Sequence, residues 1–394
     1  MGLRLVKTPR ADRIHVVLFW FMNDWGKFGR AYEKIAENLS FQDAIGRVLV
    51  VMPPVRMHEA LGLLPFRIRK VSRKLSVLTP NLRIIPHKYE YTRLGKKLNE
   101  RGIPFAISRF LKYLSFGAGD TILWVYPPHP YIDDLVNLVP HKALVSQIVD
   151  NSIFKEKHAK DKVEFARKQY EELAKRSDVV ITSSRLNHEY FSRLNRTCFL
   201  YENAVDPAFI GAPSGFPHAN GNGRPRIGYT GYISERTDTE LLRYVAEKRP
   251  EYDIVLAGPV EIPKEEFEKL LLPNVRYEGV VPYENMPGYL RNLDICLIPH
   301  HDTRFSRSMS PLKLFQYLAS GRPVVSTKVA GVERWKELIS LADGYDDFLS
   351  KIDETLGSDT PEKSGKRIEA AKRETWEKRV REMFETVAGA AGLA

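Results

Sequence analysis

The sequence predicts an α/β protein of two doubly wound domains facing a cleft, and three observations carry that prediction. Short apolar runs alternate with amphipathic helical stretches along the chain, as parallel strands and their crossover helices do. Residues 211–224 (GAPSGFPHANGNGR) are rich in Gly, Pro and Asn, lack any apolar period, and divide the alternation into two series. The length of 394 residues exceeds what a single core usually organises. The expected layout is an N-terminal domain over 1–210, a linker over 211–224, a second domain over 225–360 and a terminal helical segment over 361–394.

In the first series, strands are expected at 14–19, 47–52, 82–85, 121–126, 143–149, 178–182 and 197–201. Helices are expected at 32–39, 103–116, 162–176 and 185–194. The run at 14–19 is continuously apolar, as suits a central parallel strand, and the loop Asn23-Asp24-Trp25-Gly26 follows it where α/β proteins bind ligands. In the second series, strands at 226–229, 252–257, 275–277 and 295–299 alternate with helices at 238–247, 264–271 and 284–292. The terminal stretch 361–388 carries Trp376, Val380, Phe384 and Val387 on one stripe and reads as one packed helix.

Composition narrows the functional classes. Two cysteines, Cys198 and Cys296, both in apolar runs, exclude a disulfide framework and point to a reducing compartment. The apolar run at 16–22 is too short for a signal core or a membrane span, and Val6 stands where a myristoylation motif wants Ser or Thr. The expected location is cytoplasmic. The net charge of +11 is uneven: residues 1–210 hold 34 basic and 21 acidic side chains, the remainder 26 and 28. Within the first part, 51–100 carries 11 basic residues against three acidic ones, an excess that calls for an anionic partner.

That excess centres on 60–78 (ALGLLPFRIRKVSRKLSVL). On a helix starting near Pro65, Phe66, Ile68, Val71, Leu75 and Leu78 would lie opposite Arg67, Arg69, Lys70, Arg73 and Lys74, as on an interfacial helix at an anionic membrane. A solvated surface helix is the alternative. Nucleic acid is not expected, because no aromatic stacking platform or nucleic-acid motif accompanies the run.

The stretch 308–327 (SMSPLKLFQYLASGRPVVST) reads as loop, helix, turn and strand. Ser310 is the expected N-cap and Pro311 the first helical residue, which points the positive helix end into the loop. Lys313 in the first turn is disfavoured by the dipole unless an anion such as a phosphate shares the site, and Gln316 on the same face can bond a ribose hydroxyl. Gly321 is the expected left-handed terminator before a strand at 323–326.

This string resembles the nucleotide-sugar-binding segment of GT-B glycosyltransferases, in particular bacterial exopolysaccharide and wall-polymer enzymes with a PLK-x-x-E/Q-Y-L-x-x-G-x-P-V-V pattern. So do Ser177–Ser184 with Glu202-Asn203-Ala204-Val205-Asp206, and the segment at 233–238. The resemblance implies two Rossmann-like domains, no metal cofactor, a nucleotide diphosphate sugar as donor (a UDP-sugar favoured) and a lipid-linked or polysaccharide acceptor. It implies donor contacts from Gly231, Arg236, Tyr283, Ser310, Leu312, Lys313 and Gln316, with Lys313 on the diphosphate and Gln316 on the ribose. A terminal helix crossing back onto the N-domain is also implied. Retaining relatives carry E-x7-E, and here those positions are Ser308 and Gln316. The departure is closer to xanthan-type glucuronosyltransferases, which invert.

An inverting transfer needs a base from the N-domain. Asp150, after the strand at 143–149, is the first candidate; His129 and Asp24 are the alternatives. The string His300-His301-Asp302 looks like metal ligation, but adjacent residues rarely converge on one ion and no partners at ligand spacing occur. An NDP-sugar 2-epimerase of the same architecture and a non-catalytic nucleotide-sugar or polyanion binder remain as other readings.

Overall fold

The computed structural model describes residues 13–20, 22, 24–55, 65–81, 93–129, 131–155, 159–212 and 223–393, with the side chains of 93–99 outside the description. The strand expected at 82–85 and most of the proposed linker lie outside the described residues.

In the N-domain, β1 (Ile14–Phe19), α1 (Ala31–Phe41), β2 (Ile45–Val51), β3 (Phe66–Lys70), β4 (Leu75–Pro80), α2 (Arg93–Tyr113) and β5 (Thr121–Val125) come first. Then follow α3 (Ile132–Leu138), β6 (Ala143–Ile148), α4 (Lys160–Arg176), β7 (Val179–Thr182), α5 (Arg185–Phe191) and β8 (Cys198–Leu200). Among the described residues the sheet order is β3-β4-β2-β1-β5-β6-β7-β8. Every pairing is parallel except β3 with β4.

The unbroken apolar run of β1 follows from burial on both faces. Val16 and Leu18 pack into a cluster with α1, whereas Val17 and Phe19 pack with α2 and α3 on the other side. The order reverses at β1, so the loop after it opens into the crevice where open sheets bind ligands.

The second domain runs β9 (Arg226–Thr230), α6 (Thr239–Lys248), β10 (Asp253–Ala257), α7 (Lys264–Leu270), β11 (Val275–Tyr277), α8 (Met286–Arg291) and β12 (Ile295–Ile298). It continues through the short α9 (Arg304–Arg307), α10 (Leu312–Ala319), β13 (Val324–Thr327), β14 (Ser340–Ala342) and α11 (Gly344–Ser358). Its sheet is parallel in the order β11-β10-β9-β12-β13-β14, with the switch at β9. The loop after β9 therefore faces the same cleft.

The terminal stretch is two helices, α12 (Pro361–Lys372) and α13 (Trp376–Ala390), not one. Between them the chain pairs with Val205: the Val205 N–H donates to Glu374 O, and the Trp376 N–H donates to Val205 O. Thr375 then caps α13 through its hydroxyl. Trp376, Val380, Met383, Phe384 and Val387 are buried in the N-domain cluster that holds Val16 and Trp124. The last helix is thus part of the N-domain core.

The basic interfacial helix expected from Pro65 is overturned. Residues 66–80 form an antiparallel hairpin in which Phe66 faces Pro80 and Lys70 faces Ser76. Leu75, Val77 and Leu78 are buried in β4, which lies between β2 and β3, so they serve a sheet rather than a helix face. The turn closes by the Val71 and Ser72 N–H groups donating to Leu75 O, while the Leu75 N–H donates to Ser72 Oγ. Arg67, Arg69, Lys70 and Arg73 are exposed along the edge strand and turn, and Lys74 donates to Gln42 O.

Candidate active site

A cavity of about 270 Å³ lies between the C-terminal edges of the two sheets. All seven residues assigned to the donor line it: Gly231, Arg236, Tyr283, Ser310, Leu312, Lys313 and Gln316.

The chemistry centres on Lys313. It occupies the second position of α10, and its ammonium packs 3.8 Å from the centre of the Tyr229 ring. The ammonium nitrogen lies 3.1 Å from His300 Nε2, which is also 3.2 Å from the Tyr229 hydroxyl. Among the described residues no carboxylate pairs with it. Burial and the Arg236 charge hold the Lys313 pKa well below the ordinary lysine value; burial and the Lys313 charge do the same to His300. The result is a cationic corner of the cavity in which, among the described residues, no carboxylate is paired with Lys313, beside the N-terminus of a helix, which is an arrangement that takes an anion.

Gly231 completes it. Its φ of +122° is open to glycine, and a Cβ there would stand 3.2 Å from Lys313 Nζ. Arg236 lines the same pocket and donates to Met309 Sδ at 2.8 Å.

Ser310 does not cap α10, which begins one residue later than expected with Pro311 at the N-cap. Its hydroxyl instead accepts from the Asn203 N–H at 3.0 Å, and its carbonyl accepts from Asn203 Nδ2 at 2.8 Å. Ser310 thus ties the loop before α10 to the N-domain. Ser308 does likewise: its hydroxyl accepts from the Asn151 N–H and its carbonyl from Asn187 Nδ2. It is fully buried. The position that holds a glutamate in E-x7-E relatives is here a packed joint between domains.

Tyr283 is also a joint. Its ring packs on Gly29, where a Cβ would come within 2.1 Å of it; its hydroxyl lies 3.4 Å from Asp206, which pairs with Lys34 at 2.8 Å. Arg30, from the loop after β1, reaches across to the Tyr232 hydroxyl at 3.0 Å. Asp24 is spent on holding that arginine in place: it accepts from Arg30 Nε, Tyr32 OH and Trp20 Nε1.

Asp150 is exposed at the end of β6 and lines the cavity. His129 does not line it, and this alternative is set aside. Its Nδ1 accepts from the Tyr131 N–H, and its backbone is clamped by Gln169 at both N–H and carbonyl. Among the described residues no group of three or more His, Cys, Asp or Glu could hold a metal. The His-His-Asp string splits: His300 turns inward to Lys313, while His301 faces Asp238 and Asp302 pairs with Arg307.

Residues 224–357, about a third of the chain, match the family described as glycosyl transferases group 1. TuaH of Bacillus subtilis (strain 168), which is named as a glycosyltransferase of teichuronic acid biosynthesis, is 28% identical over 142 residues. That match covers 34% of this chain and spans 36% of TuaH. Among solved structures, sucrose-phosphate synthase from Thermosynechococcus elongatus superposes with a TM-score of 0.72 at 14% identity, covering 95% of this chain and 98% of that one. Alr3699/HepE of Anabaena, solved with UDP and glucose, gives 0.67 at 14% identity, covering 96% and 100%. Residues 224–357 thus match the glycosyl transferases group 1 family, within a chain of GT-B fold.

Proposed function

We propose that the protein transfers a sugar from a nucleotide diphosphate donor, a UDP-sugar by preference, to a glycan or lipid-linked acceptor, with inversion and without a metal. The carrying observation is the half-buried, desolvated Lys313 ammonium, which has no carboxylate partner among the described residues and lines one cavity with Arg236 at the start of α10. A diphosphate supplies the missing charge, and the same cations stabilise it as it leaves. Gln316 lines the same cavity and serves the ribose. The UDP bound to HepE and the teichuronic acid role in the name of TuaH support the donor and acceptor classes.

Asp150 takes the proton of the attacking hydroxyl. The freed oxygen bonds to the anomeric carbon from the face opposite the diphosphate. The sugar–phosphate bond breaks, its electron pair leaving with the nucleotide. Ser308 in place of a glutamate supports inversion, since its side chain is sealed between domains away from the sugar.

The protein works at the cytoplasmic membrane surface through its hairpin edge, where Ile68 and Val71 are exposed among Arg67, Arg69, Lys70 and Arg73. Among the described residues no helix is long and apolar enough to cross a membrane. The test is thermal stabilisation by UDP, GDP, ADP and CDP and their sugars. A shift selective for one nucleoside diphosphate is expected; no shift with any of them overturns the reading.

A further inference from the structure

The N-domain wall of the cavity contains two polar side chains that the transfer chemistry above leaves unused. Tyr126 follows β5 and Gln147 lies in β6; both line the cavity and both are buried. The ladder pairs Trp124 with Val145 and Val125 with Ser146, which brings Tyr126 level with Gln147 on the side of the sheet that carries Trp124 and Val145.

Each has an uncommitted polar end. Among the described residues the buried Tyr126 hydroxyl makes no hydrogen bond of good geometry; the indole N–H of Trp124 near it can only donate, so the phenol proton is left without an acceptor, a costly state for a buried hydroxyl. Gln147 Oε1 accepts from Trp124 Nε1 at 2.9 Å. An indole N–H can only donate, so the amide oxygen must face Trp124 and the Nε2 donors are left over. Trp20 lines the cavity beside them, edge-on to Tyr126 with ring centroids 5.0 Å apart, and Asp150 stands three residues beyond Gln147.

We propose that Tyr126 and Gln147 are specificity-determining residues of the acceptor pocket, and that the acceptor presents a pyranose. One ring hydroxyl or N-acyl carbonyl takes the Gln147 Nε2 and Tyr126 O–H bonds, while a neighbouring hydroxyl is offered to Asp150. An aromatic wall bearing an amide donor, a phenol and a carboxylate suits a sugar, which has apolar C–H groups and closely spaced hydroxyls. A simple alkyl alcohol would leave the amide and phenol unpaired. The inference rests on the transferase reading.

The test is binding of a panel of p-nitrophenyl pyranosides (glucoside, galactoside, mannoside, N-acetylglucosaminide, glucuronide) to the full chain saturated with UDP, followed by ligand-observed NMR. Tyr126→Phe removes only the hydroxyl. Gln147→Glu retains an oxygen for Trp124 and removes the donor. At least one pyranoside should bind the native protein and lose tenfold or more in affinity in each variant, with UDP affinity unchanged and the melting temperature of Tyr126→Phe equal or higher. In turnover the variants should raise KM for that sugar more than they lower kcat. Equal affinity in native protein and Tyr126→Phe overturns the inference, and so does UDP binding with no pyranoside bound. Failure to bind UDP at all instead refutes the functional reading beneath it.

Discussion

Lys313 Nζ lies 3.1 Å from His300 Nε2; the histidine is buried, the lysine is half-buried at the cavity wall, and desolvation and neighbouring cations hold both pKa values well below normal. For the imidazole to accept from the ammonium it must be neutral, so the pair tolerates one positive charge and rejects two. The pocket is therefore destabilised when empty and relieved by an anion.

This makes Lys313→Met informative. Replacing a desolvated, half-buried lysine that no described carboxylate pairs with by an apolar side chain of similar length should stabilise the ligand-free protein by about 1–3 kcal/mol. The same change should abolish the nucleotide-induced rise in melting temperature. A variant that melts lower than the native protein and still responds to nucleotide would show that the lysine is structural.

Asp150→Asn should leave nucleotide affinity unchanged and lower kcat by about 10²–10⁴-fold, the usual worth of a positioned base. Because Asp150 is exposed, folding stability should hardly change. Comparing single-turnover rates with the nucleotide melting shift separates these effects. Unaltered turnover would remove Asp150 from the chemistry.

Glu33, in the first turn of α1, has its pKa raised to about 7 by burial, against a bond from the Gly26 N–H and with Asp24 nearby. A carboxyl whose folded pKa exceeds its unfolded value of 4.5 binds more protons when folded, so its contribution is lost as pH rises between those two values. Glu33→Gln keeps an oxygen for Gly26 without the charge. Above pH 7 it should stabilise the protein by about 1–3 kcal/mol. Near pH 4.5 it should be neutral. Chemical denaturation at the two pH values reads the difference.

The exposed hairpin makes a salt-dependent prediction. Sedimentation with vesicles containing anionic lipid should exceed that with neutral vesicles and fall as ionic strength rises. Replacing Arg67, Arg69, Lys70 and Arg73 by Gln should reduce it by about tenfold or more, since each cation near an anionic surface contributes about 1 kcal/mol. All four lie on an edge strand and turn, so nucleotide binding should be unaffected. Equal sedimentation with both vesicle types would remove the membrane from the account.

Much of the cavity wall contributed by the second domain was legible because its residues are local in sequence. Pro311, Lys313, Gln316 and Gly321 sit on one helix and its terminator, where spacing fixes relative position; Gly321 has the expected left-handed φ of +76°. The N-domain wall was less legible because it is assembled across strands. Nothing in the order of Tyr126 and Gln147 along the chain says that they stand level. His300 was visible as part of a polar string, but only the fold separates it from its neighbours. The hairpin at 66–80 was misread because β4 is covered on both faces and shows no strict alternation, and because its turn, Val71-Ser72-Arg73-Lys74, has none of the Gly, Asn or Pro that mark turns. Ser310 was a sound cap by type, but a hydroxyl can accept from the N–H of a distant loop as readily as from its own helix.

The welding of α13 into the N-domain core has a consequence for biosynthesis. Trp376, Phe384 and their neighbours complete a wall made otherwise of the first 205 residues. During translation the first domain to emerge therefore lacks that wall until residues 376–390 have left the ribosome, while the sheet of the second domain is already whole. The domain begun first is finished last, and the face of α1 that α13 covers must be shielded meanwhile.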